Sequence, residues 1–314
     1  MGTGRDWHID SALSEITVGY LQEIGMVAEA IAPAVSVKKQ SDIYYVWAKG
    51  DFFRIPDTKL ERKAQPKNIE LSVSSGTYYA NGYGIGTELS YPDLANADEP
   101  LQLEITHSKL LVNIIYRDYE NRVATLCTCG TNLGSYAQLS GTGVWTDKAN
   151  SDPFGDVTSA TNFIHKNTGF KPNIMVVGKD VHEALKQHPD IIDRIKYTAR
   201  AGDAVISNAL ADLFGIEKYM VGEGVKNTGA ENLANSFGYI WGSNVFLCHK
   251  PTAPGRMIPA FMYSFRWTPE GYPTAFTVEK KEDDDIKARK LRTYLFQDEK
   301  IVGNELGFVI NSVV

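Results

Sequence analysis

The stretch DEPLQLEITHSKLLVNIIYRDYENRVATLCT, residues 98–128, decides the fold of this chain. Asp98 is suited to cap a helix, Glu99 to its first turn, and Pro100 to a first helical position, whose N–H has no helical partner in any case. No Gly or Pro then interrupts the chain before Gly130. The stretch therefore predicts one helix of about 30 residues, roughly 45 Å long at about 1.5 Å per residue.

Two rows of residues follow this predicted helix at steps of three and four. The first row predicts the buried face and contains Ile105, Ser108, Val112, Ile115, Tyr119, Val123 and Leu126. The second row widens the stripe and contains Leu103, His107, Leu110 and Ile114. Ile105, Val112, Ile115, Tyr119 and Val123 are the side chains expected to organise the core. Spacing alone also fits a central helix of an ordinary α/β fold.

Length and composition indicate a globular chain with a large core. The 314 residues are 43% hydrophobic, which is enough to build more than one lobe. The formal net charge of −6 excludes the strongly basic surface of a dedicated nucleic-acid-binding protein. Any contact with DNA is therefore expected to be local, weak and non-specific.

Cysteine usage and the first residues indicate the compartment. Cys127, Cys129 and Cys248 are too few for a disulfide framework, so a reducing cytoplasm is predicted. Residues 1–6 carry no apolar signal core, and Asp6 stands where a myristoylation motif needs Ser or Thr. No apolar run reaches the roughly 18 residues of a membrane span. The sequence predicts a protein made and kept in solution, without a membrane partner.

The chain opens with a candidate amphipathic arm over residues 11–32. Its apolar side chains follow helical spacing until Pro33 and are Leu13, Ile16, Tyr20, Leu21, Ile24 and Val27. An apolar arm that projects from the body leaves surface that is costly in water, and further copies of the chain can cover it.

A long basic hairpin is predicted between the arm and the helix. Residues 42–55 are rich in aromatic side chains and residues 68–79 alternate apolar with polar, which predicts two strands around the polar tip 57–66. Between Lys49 and Lys67, six basic residues face three acidic ones. Such a hairpin has little to pack on, so we expect it to lie on a neighbouring molecule. The expected contact residues are Trp47, Lys49, Phe52, Phe53, Arg54, Lys59, Arg62, Lys63 and Lys67. A surface loop with solvated charge is the alternative.

Short helices and strands alternate behind the long helix. Residues 179–256 are therefore predicted to form a mixed lobe. The segments expected from residue 158 onward are helix 158–168, strand 173–177, helix 180–188 capped by Asp180, helix 190–197, helix 208–214, strand 216–221, loop 222–235 and two extended pieces within 237–247.

The last part of the chain is extended. Residues 257–267 and 273–281 are aromatic and strand-like, and a third strand alternates from Ile286 to Leu295. The alternation slips at Arg289 and Lys290, which predicts a bulge. A turn is expected at residues 298–300, followed by a final strand from Ile301 to Val314.

No catalytic, cofactor or metal site is predicted. His182 and Glu183 begin a zinc-protease motif, but Lys186 stands where the second histidine is needed. The cysteines with His249 could hold a metal, yet they lack the spacing of common zinc sites, so free thiols are expected. Gly82, Gly84 and Gly86 do not fit a dinucleotide-binding loop, and close strand packing explains them better.

Two charged runs near the C-terminus have the composition of ligand sites. The acidic residues 283–285 could collect calcium, although such turns are usually solvated. The basic run from Lys287 to Arg292 could touch phosphate, but its alternation with apolar residues fits a sheet face equally well.

The order of these parts resembles the major capsid proteins of tailed bacteriophages, which share the Hong Kong 97 shell fold. The most specific local text is NIMVVGKDVHEAL at residues 173–185 and YLFQDEKIVGNELGFVINSVV at residues 294–314. The resemblance implies an α+β fold made of an N-terminal arm, an E-loop hairpin, a spine helix, a P-domain sheet and an A-domain. The implied parts are the N-arm 1–38, the E-loop 39–88, the P-domain 89–178 with spine helix 98–128, the A-domain 179–256 and the C-terminal strands 257–314.

The resemblance also implies function and partners. Copies would assemble as hexamers and pentamers into an icosahedral shell that encloses double-stranded DNA, in a virion assembled in the host cytoplasm. A portal protein is implied, and decoration proteins are possible partners. The chain begins at the arm without a long charged helical leader, so a scaffold would be a separate protein or already removed.

Two alternatives remain open from the sequence. The first is an encapsulin-like compartment, which uses the same shell fold to enclose enzymes. The second is a soluble α/β enzyme, for which His182, His188 and the acidic run 283–285 are the candidates. Purified particles that contain protein, with no DNA-packaging genes alongside, would favour the first, and a small oligomer in solution would favour the second.

Overall fold

The computed structural model describes residues 8–9, 26–62, 65–96, 103–195, 203–229, 233–253, 258–272 and 274–314. Three predictions lie outside the described residues: most of the helical arm 11–32, the helix cap at 98–100, and the hairpin residue Lys63. Within the described part of the chain, no helix is both long and apolar enough to cross a bilayer.

The described part of the chain contains both helices and strands. The helices are α1 (Ala28–Ile31), α2 (Lys49–Phe53), α3 (Tyr91–Asn96), α4 (Leu103–Thr128), α5 (Pro153–Thr168), α6 (Lys179–Gln187), α7 (Pro189–Ile195) and α8 (Asp203–Phe214). The strands are β1 (His8–Ile9), β2 (Ala34–Val37), β3 (Ser41–Trp47), β4 (Val73–Tyr79), β5 (Asn81–Ser90), β6 (Tyr136–Gln138), β7 (Ile174–Gly178), β8 (Lys218–Gly222), β9 (Val225–Asn227), β10 (Phe237–Tyr239), β11 (Val245–Cys248), β12 (Met262–Trp267), β13 (Phe276–Asp283), β14 (Ala288–Ile301) and β15 (Gly307–Asn311).

The long helix α4 joins two sheets through one core. Its side chains pack with Leu291 of β14 and Val278 of β13. They also pack with Phe246 of β11 and Val309 of β15, which belong to a different sheet. Four of the five singled-out side chains are buried, namely Val112, Ile115, Tyr119 and Val123, while Ile105 is half-buried.

The predicted second row of α4 is wrong about which flank is buried. Leu110 is 52% exposed, and His107 and Ile114 are only partly covered. The other buried residues flank the first row on its two sides and are Leu111 on one side and Tyr116, Glu120, Ala124 and Cys127 on the other. Several sides of α4 carry residues at helical spacing, so the approach of the sheets decides which of them are covered.

The first sheet has six strands, with β14 in its interior. The order is β1-β13-β14-β12-β2, and β5 also pairs with β14. Strand β14 is antiparallel to β13, β12 and β5, whereas β2 runs parallel to β12. Its alternate residues are buried from Leu291 to Glu299, so one face of the strand covers the core.

The predicted bulge at Arg289 and Lys290 is wrong, because pairing with β13 and β5 continues through both residues. The slip in hydrophobicity has another cause. Arg289 lies two residues before Leu291, on the same side of the strand, and forms ion pairs with Glu104 of α4 and with Glu282. The helix therefore neutralises an arginine at a position where the alternation predicts an apolar side chain.

The predicted turn at residues 298–300 is also wrong. Strand β14 continues to Ile301 because β12 pairs with it there, from Gln297 to Ile301. The polar residues of this segment have partners: Glu299 pairs with Arg122 at 2.9 Å, and Asp298 accepts the backbone N–H of Tyr79 at 2.8 Å. The final strand is shorter than predicted and spans only Gly307–Asn311.

The second sheet has five strands in the order β6-β15-β11-β7-β8. Strands β7 and β11 are buried throughout, and α5, α6, α7 and α8 contribute to the core beside them. Strands β6, β7 and β15 of this sheet lie outside residues 179–256, the range predicted for the A-domain. The predicted boundary between the P-domain and the A-domain, at residue 178, therefore passes through this sheet. The cap predicted for Asp180 is wrong, because α6 begins at Lys179 without a side-chain cap.

The glycines of β5 confirm close strand packing. A Cβ atom at Gly82 would lie 2.9 Å from the Phe296 ring, and one at Gly84 would lie 2.7 Å from the Tyr294 ring. These side chains of β14 lean across β5 because the glycines leave the space open.

Candidate assembly surfaces

The hairpin of β3 and β4 forms a sheet of two strands that stands apart from the other sheets. Its pairing runs from Ser41 opposite Tyr79 to Trp47 opposite Val73. The predicted first strand is too long, because Lys49–Phe53 is a one-turn helix, and the predicted second strand begins only at Val73. The hairpin ends at Tyr79, since the next residues enter β5 of the first sheet. We call residues 41–79 the hairpin.

The hairpin exposes an unusual amount of apolar surface. Tyr78 is its only buried residue among those that the structure describes. Ile55 is 95% exposed and Tyr45 is 71% exposed. The exposed large hydrophobic residues of the hairpin are Ile43, Tyr45, Trp47, Phe52, Phe53, Ile55, Leu60, Ile69, Leu71, Val73 and Tyr79. Apolar patches of this extent on soluble proteins mark interaction sites.

The base of the hairpin is anchored to the first sheet by aromatic stacking. The rings of Tyr78 and Tyr44 lie on Phe265 with centroid distances of 4.6 Å and 5.6 Å. The Ala80 backbone N–H also donates to the Gln40 carbonyl at 2.8 Å. The base of the hairpin is therefore held by its own subunit.

The short helix α2 contacts the body of its own subunit. The Lys49 ammonium pairs with Glu305 and donates to the Asn167 carbonyl at 3.2 Å. The Phe53 ring lies 3.3 Å from the Cβ position at Gly169. Lys49 and Phe53, which were expected to contact a neighbouring copy, therefore also contact their own subunit. Phe53 nevertheless remains 58% exposed.

The basic side chains of the hairpin are largely unpaired. Lys67 lies 3.8 Å from Asp57. Arg54, Lys59 and Arg62 are exposed and have no carboxylate within 4.0 Å in the described part of the chain. Their positive charges are available to an acidic surface.

A buried carboxylate holds three parts of the molecule together. Glu120 of α4 is fully buried and accepts the backbone N–H of Ala28 at 2.8 Å and that of Val27 at 3.0 Å. It also accepts the Trp241 indole N–H at 2.7 Å. These contacts connect the segment entering α1, the long helix α4 and the segment that precedes β11.

The environment of Glu120 disfavours its charge. Burial raises the pKa of the Glu120 carboxyl above its ordinary value, the three N–H donors oppose this shift, and the nearby Glu29 adds to it. We missed this residue from the sequence. The available signal was its position four residues after Tyr116 and four before Ala124, which puts a carboxylate in a buried row.

Neighbouring contacts also attach the N-terminal segment to α4. The Tyr119 hydroxyl lies 2.9 Å from the Ser264 hydroxyl and donates to the Ala32 carbonyl at 3.2 Å. Burial raises the pKa of Tyr119, so this hydroxyl stays protonated. Arg266 of β12 pairs with Glu29 at 2.6 Å. The same helix therefore organises both the sheet and the chain that precedes it.

A second exposed apolar surface lies on the small hairpin of β9 and β10. Phe237 is 70% exposed and Leu233 is 71% exposed, and Val225 and Tyr239 are partly exposed beside them. Residues 222–235, expected to form a loop, thus contain the strand β9.

The residues considered for chemistry occupy structural positions. His182 hydrogen-bonds the Tyr219 hydroxyl at 2.9 Å, and His188 hydrogen-bonds Ser151 at 3.1 Å. Cys127 and Cys248 are buried free thiols, and burial raises the pKa of Cys248 to about 12.

The acidic run is partly neutralised. Asp283 pairs with Lys290 at 2.9 Å, and this contact lowers the pKa of the Asp283 carboxyl. In the described residues, no group of three His, Cys, Asp or Glu side chains is arranged to hold a metal ion.

Sequence comparisons find two phage relatives over most of the chain. The major capsid protein of Pseudomonas phage JBD67 is 28% identical over 265 residues, covering 82% of this chain and 83% of the relative. The major capsid protein of Burkholderia phage BcepMu is 24% identical over 316 residues, covering 97% and 96%. No protein-family model matches the chain.

Solved structures show the same fold. A phage-related protein from Bordetella bronchiseptica RB50 superposes with a TM-score of 0.75 at 21% identity, covering 98% of each chain. The mature capsid of bacteriophage PhiM1 gives a TM-score of 0.58 at 9% identity, covering 90% of this chain and 86% of that one. The α+β capsid fold predicted from the sequence is confirmed.

Proposed function

We propose that this chain, a phage major capsid protein, closes its shell by laying the hairpin of each copy on a neighbouring copy. The relatives confirm the resemblance inferred from the residues. The role is structural rather than catalytic. Both relatives found by sequence are phage capsid proteins, so the comparisons favour this role over an encapsulin-like compartment or a soluble enzyme.

The exposed apolar surface of the hairpin is the observation that carries this proposal. A two-stranded sheet loses conformational entropy when it forms, and the burial of one residue does not compensate for that loss. Covering its apolar side chains with a second copy supplies the missing core. A head-to-tail interface of this kind forms rings when its rotation closes, and rings of five and six can build a shell.

The parts of the subunit receive roles on the same basis. We assign residues 1–38 to an N-terminal arm, residues 39–88 to the E-loop, residues 89–178 with the spine helix to the P-domain and residues 179–256 to the A-domain. The C-terminal strands 257–314 complete the body. The spine residues Val112, Ile115, Tyr119 and Val123 would keep the subunit rigid while its projections contact other copies.

We further propose that the shell encloses double-stranded DNA in a virion assembled in the host cytoplasm. The net charge of −6 supports a container that holds DNA weakly, because many phosphate contacts would slow its entry. A portal protein, a separate scaffold and decoration proteins complete the expected partners.

The purified protein is expected to form large closed particles. Burial of eleven exposed hydrophobic residues per hairpin favours association of every copy. Negative-stain microscopy and light scattering check this expectation. Monomers or dimers under all salt conditions, together with no particles in producing cells, would contradict it.

Reversing two charges on the hairpin should separate folding from assembly. We expect Arg62→Glu with Lys63→Glu to leave the subunit folded, because Arg62 is exposed and unpaired among the described residues. Each lost pair with a neighbour is worth only about 0–1 kcal/mol, but the loss repeats at every contact of the shell. Particle yield should therefore fall, most strongly at low salt, where repulsion is least screened.

Circular dichroism and sedimentation of the same samples test this prediction. A control with Arg117→Glu and Lys148→Glu changes the net charge equally, at exposed positions outside the hairpin. Unfolding of the hairpin variant would mean that its tip belongs to the core of its own subunit. Normal particles at low salt would mean that these charges contact nothing important.

A further inference from the structure

One end of the second sheet gathers basic residues from three neighbouring strands. Lys171 precedes β7, Lys218 begins β8, and Lys250 follows β11. Asn173 fixes their arrangement. Its side chain accepts the Lys250 backbone N–H at 2.8 Å and donates to the Lys250 carbonyl at 2.7 Å, and its own carbonyl accepts the Lys218 N–H at 3.0 Å.

Further contacts stiffen this end of the sheet. The His249 ring donates from Nδ1 to the Lys171 carbonyl at 2.8 Å and packs against Phe170 with a centroid distance of 5.0 Å. The backbone that carries the three lysines is therefore held at fixed positions. We call Lys171, Lys218 and Lys250 the basic cluster.

The basic cluster lacks internal neutralisation. None of its three ammonium groups has a carboxylate within 4.0 Å in the described part of the chain. Burial lowers the pKa of Lys250, and the positive charge of Lys218 lowers it further. Glu29 acts in the opposite direction, but its carboxylate is already paired with Arg266 at 2.6 Å. An external anion would remove this repulsion.

We propose that the basic cluster binds phosphates of the DNA backbone. This inference rests on the proposed function, because the duplex is the polyanion that the shell would enclose. A duplex carries one negative charge per about 1.7 Å of axis, so neighbouring phosphates can reach several lysines at once. Contacts to phosphate carry no sequence information, which suits a container for a whole genome.

The acidic turn of another copy is a poorer partner for the basic cluster. Glu282, Asp283 and Asp284 already pair with Arg289, Lys290 and Lys287 of their own subunit, at 2.6, 2.9 and 3.6 Å. Binding elsewhere would require breaking these pairs. A phosphodiester backbone has no such competing cations apart from mobile counterions, whose release favours binding.

The test measures the salt dependence of binding to a 20-base-pair duplex by fluorescence anisotropy, with the full-length chain kept below its assembly concentration. Each lysine that neutralises a phosphate contributes about 0.9 to the slope of log affinity against log salt. We expect Lys218→Gln with Lys250→Gln to lower the slope by about 1.8. Between about 50 and 200 mM salt, the wild type should then lose about 12-fold more affinity than the variant.

A control variant, Arg54→Gln with Lys59→Gln, removes the same charge from the hairpin and should bind like the wild type. Thermal melts check that both variants fold. An unchanged slope in the Lys218 and Lys250 variant overturns the proposal, as does the absence of duplex binding by the wild type. Loss of particles with unchanged duplex binding would instead assign the basic cluster to a contact between copies.

Duplex binding and particle formation are measured separately, so the two proposals can fail separately. Particles that form normally from the Lys218 and Lys250 variant, with weakened duplex binding, would support both proposals. A wild-type chain that binds the duplex but forms no particles would contradict the proposed shell and leave the phosphate contact standing.

Discussion

Ile115→Asp is expected to leave little folded subunit. Ile115 lies in the middle of α4 and is 4% exposed, so the new carboxylate would be buried away from water. Burying an unpaired charge costs several kcal/mol, or the group must take up a proton. A domain is stabilised by only about 5–15 kcal/mol, so this cost removes much of the total. Soluble yield and a circular dichroism melt measure the effect.

Leu110→Asp provides a matched control on the same helix. Leu110 is 52% exposed, so its replacement leaves the carboxylate in water and should lower the melting temperature only slightly. A soluble, particle-forming Ile115→Asp variant would show that the core-facing side of α4 is assigned wrongly. Equal losses in the two variants would show that the spine tolerates no charge on either side.

Glu120→Ala is expected to destabilise the subunit by several kcal/mol. The change removes the acceptor for the N–H groups of Val27, Ala28 and Trp241, all of them buried. A buried donor without an acceptor costs about 1–3 kcal/mol. The N-terminal segment should loosen first, because both of its donors lose their partner. Hydrogen exchange at Val27 and Ala28, together with a thermal melt, measures both effects.

Trp241→Phe separates this contact from general loss of packing. It removes one donor and leaves the carboxylate with its two backbone partners, so the expected loss is smaller than for Glu120→Ala. If exchange at Val27 and Ala28 stays at the wild-type rate in Glu120→Ala, the carboxylate does not hold the N-terminal segment.

Glu120→Gln tests the charge itself through pH. Because the pKa of Glu120 is raised in the folded state, the folded chain binds more protons than the unfolded chain just above the ordinary glutamate pKa. The wild type should therefore lose stability as the pH rises from about 4.3 towards the raised value. The glutamine variant lacks this loss. Its melting temperature should therefore rise relative to that of the wild type over the same pH interval. An opposite trend would mean that the donors outweigh burial.

Local patterns in the sequence identified the elements that local interactions stabilise. The helix at residues 98–128 was predicted from unbroken helical spacing, and the described part of it, Leu103–Thr128, is helical. The hairpin was predicted from aromatic strands around a charged tip, and its base has that form. The solved capsid structures confirm the fold that was predicted from the order of these elements.

The tertiary structure decided which of several compatible surfaces is buried. Leu110 belongs to a predicted row of α4 and Leu111 to neither row, yet the folded chain buries Leu111 and leaves Leu110 exposed. Strand β14 passes through Asp298, Glu299 and Lys300, a polar run that resembles a turn, because β12 pairs with this segment and Arg122 neutralises Glu299. Long-range partners of this kind leave no local signal.

The contacts that join distant segments were likewise invisible in the sequence. Glu120 has the spacing of a core residue and the chemistry of a surface residue, and only its donors from Val27, Ala28 and Trp241 reconcile the two. The basic cluster draws on Lys171, Lys218 and Lys250, which are far apart in the chain and meet where three strands end. Sequence periodicity reports the environment of a residue relative to its near neighbours, whereas pairing and charge neutralisation depend on which strands the folded chain brings together.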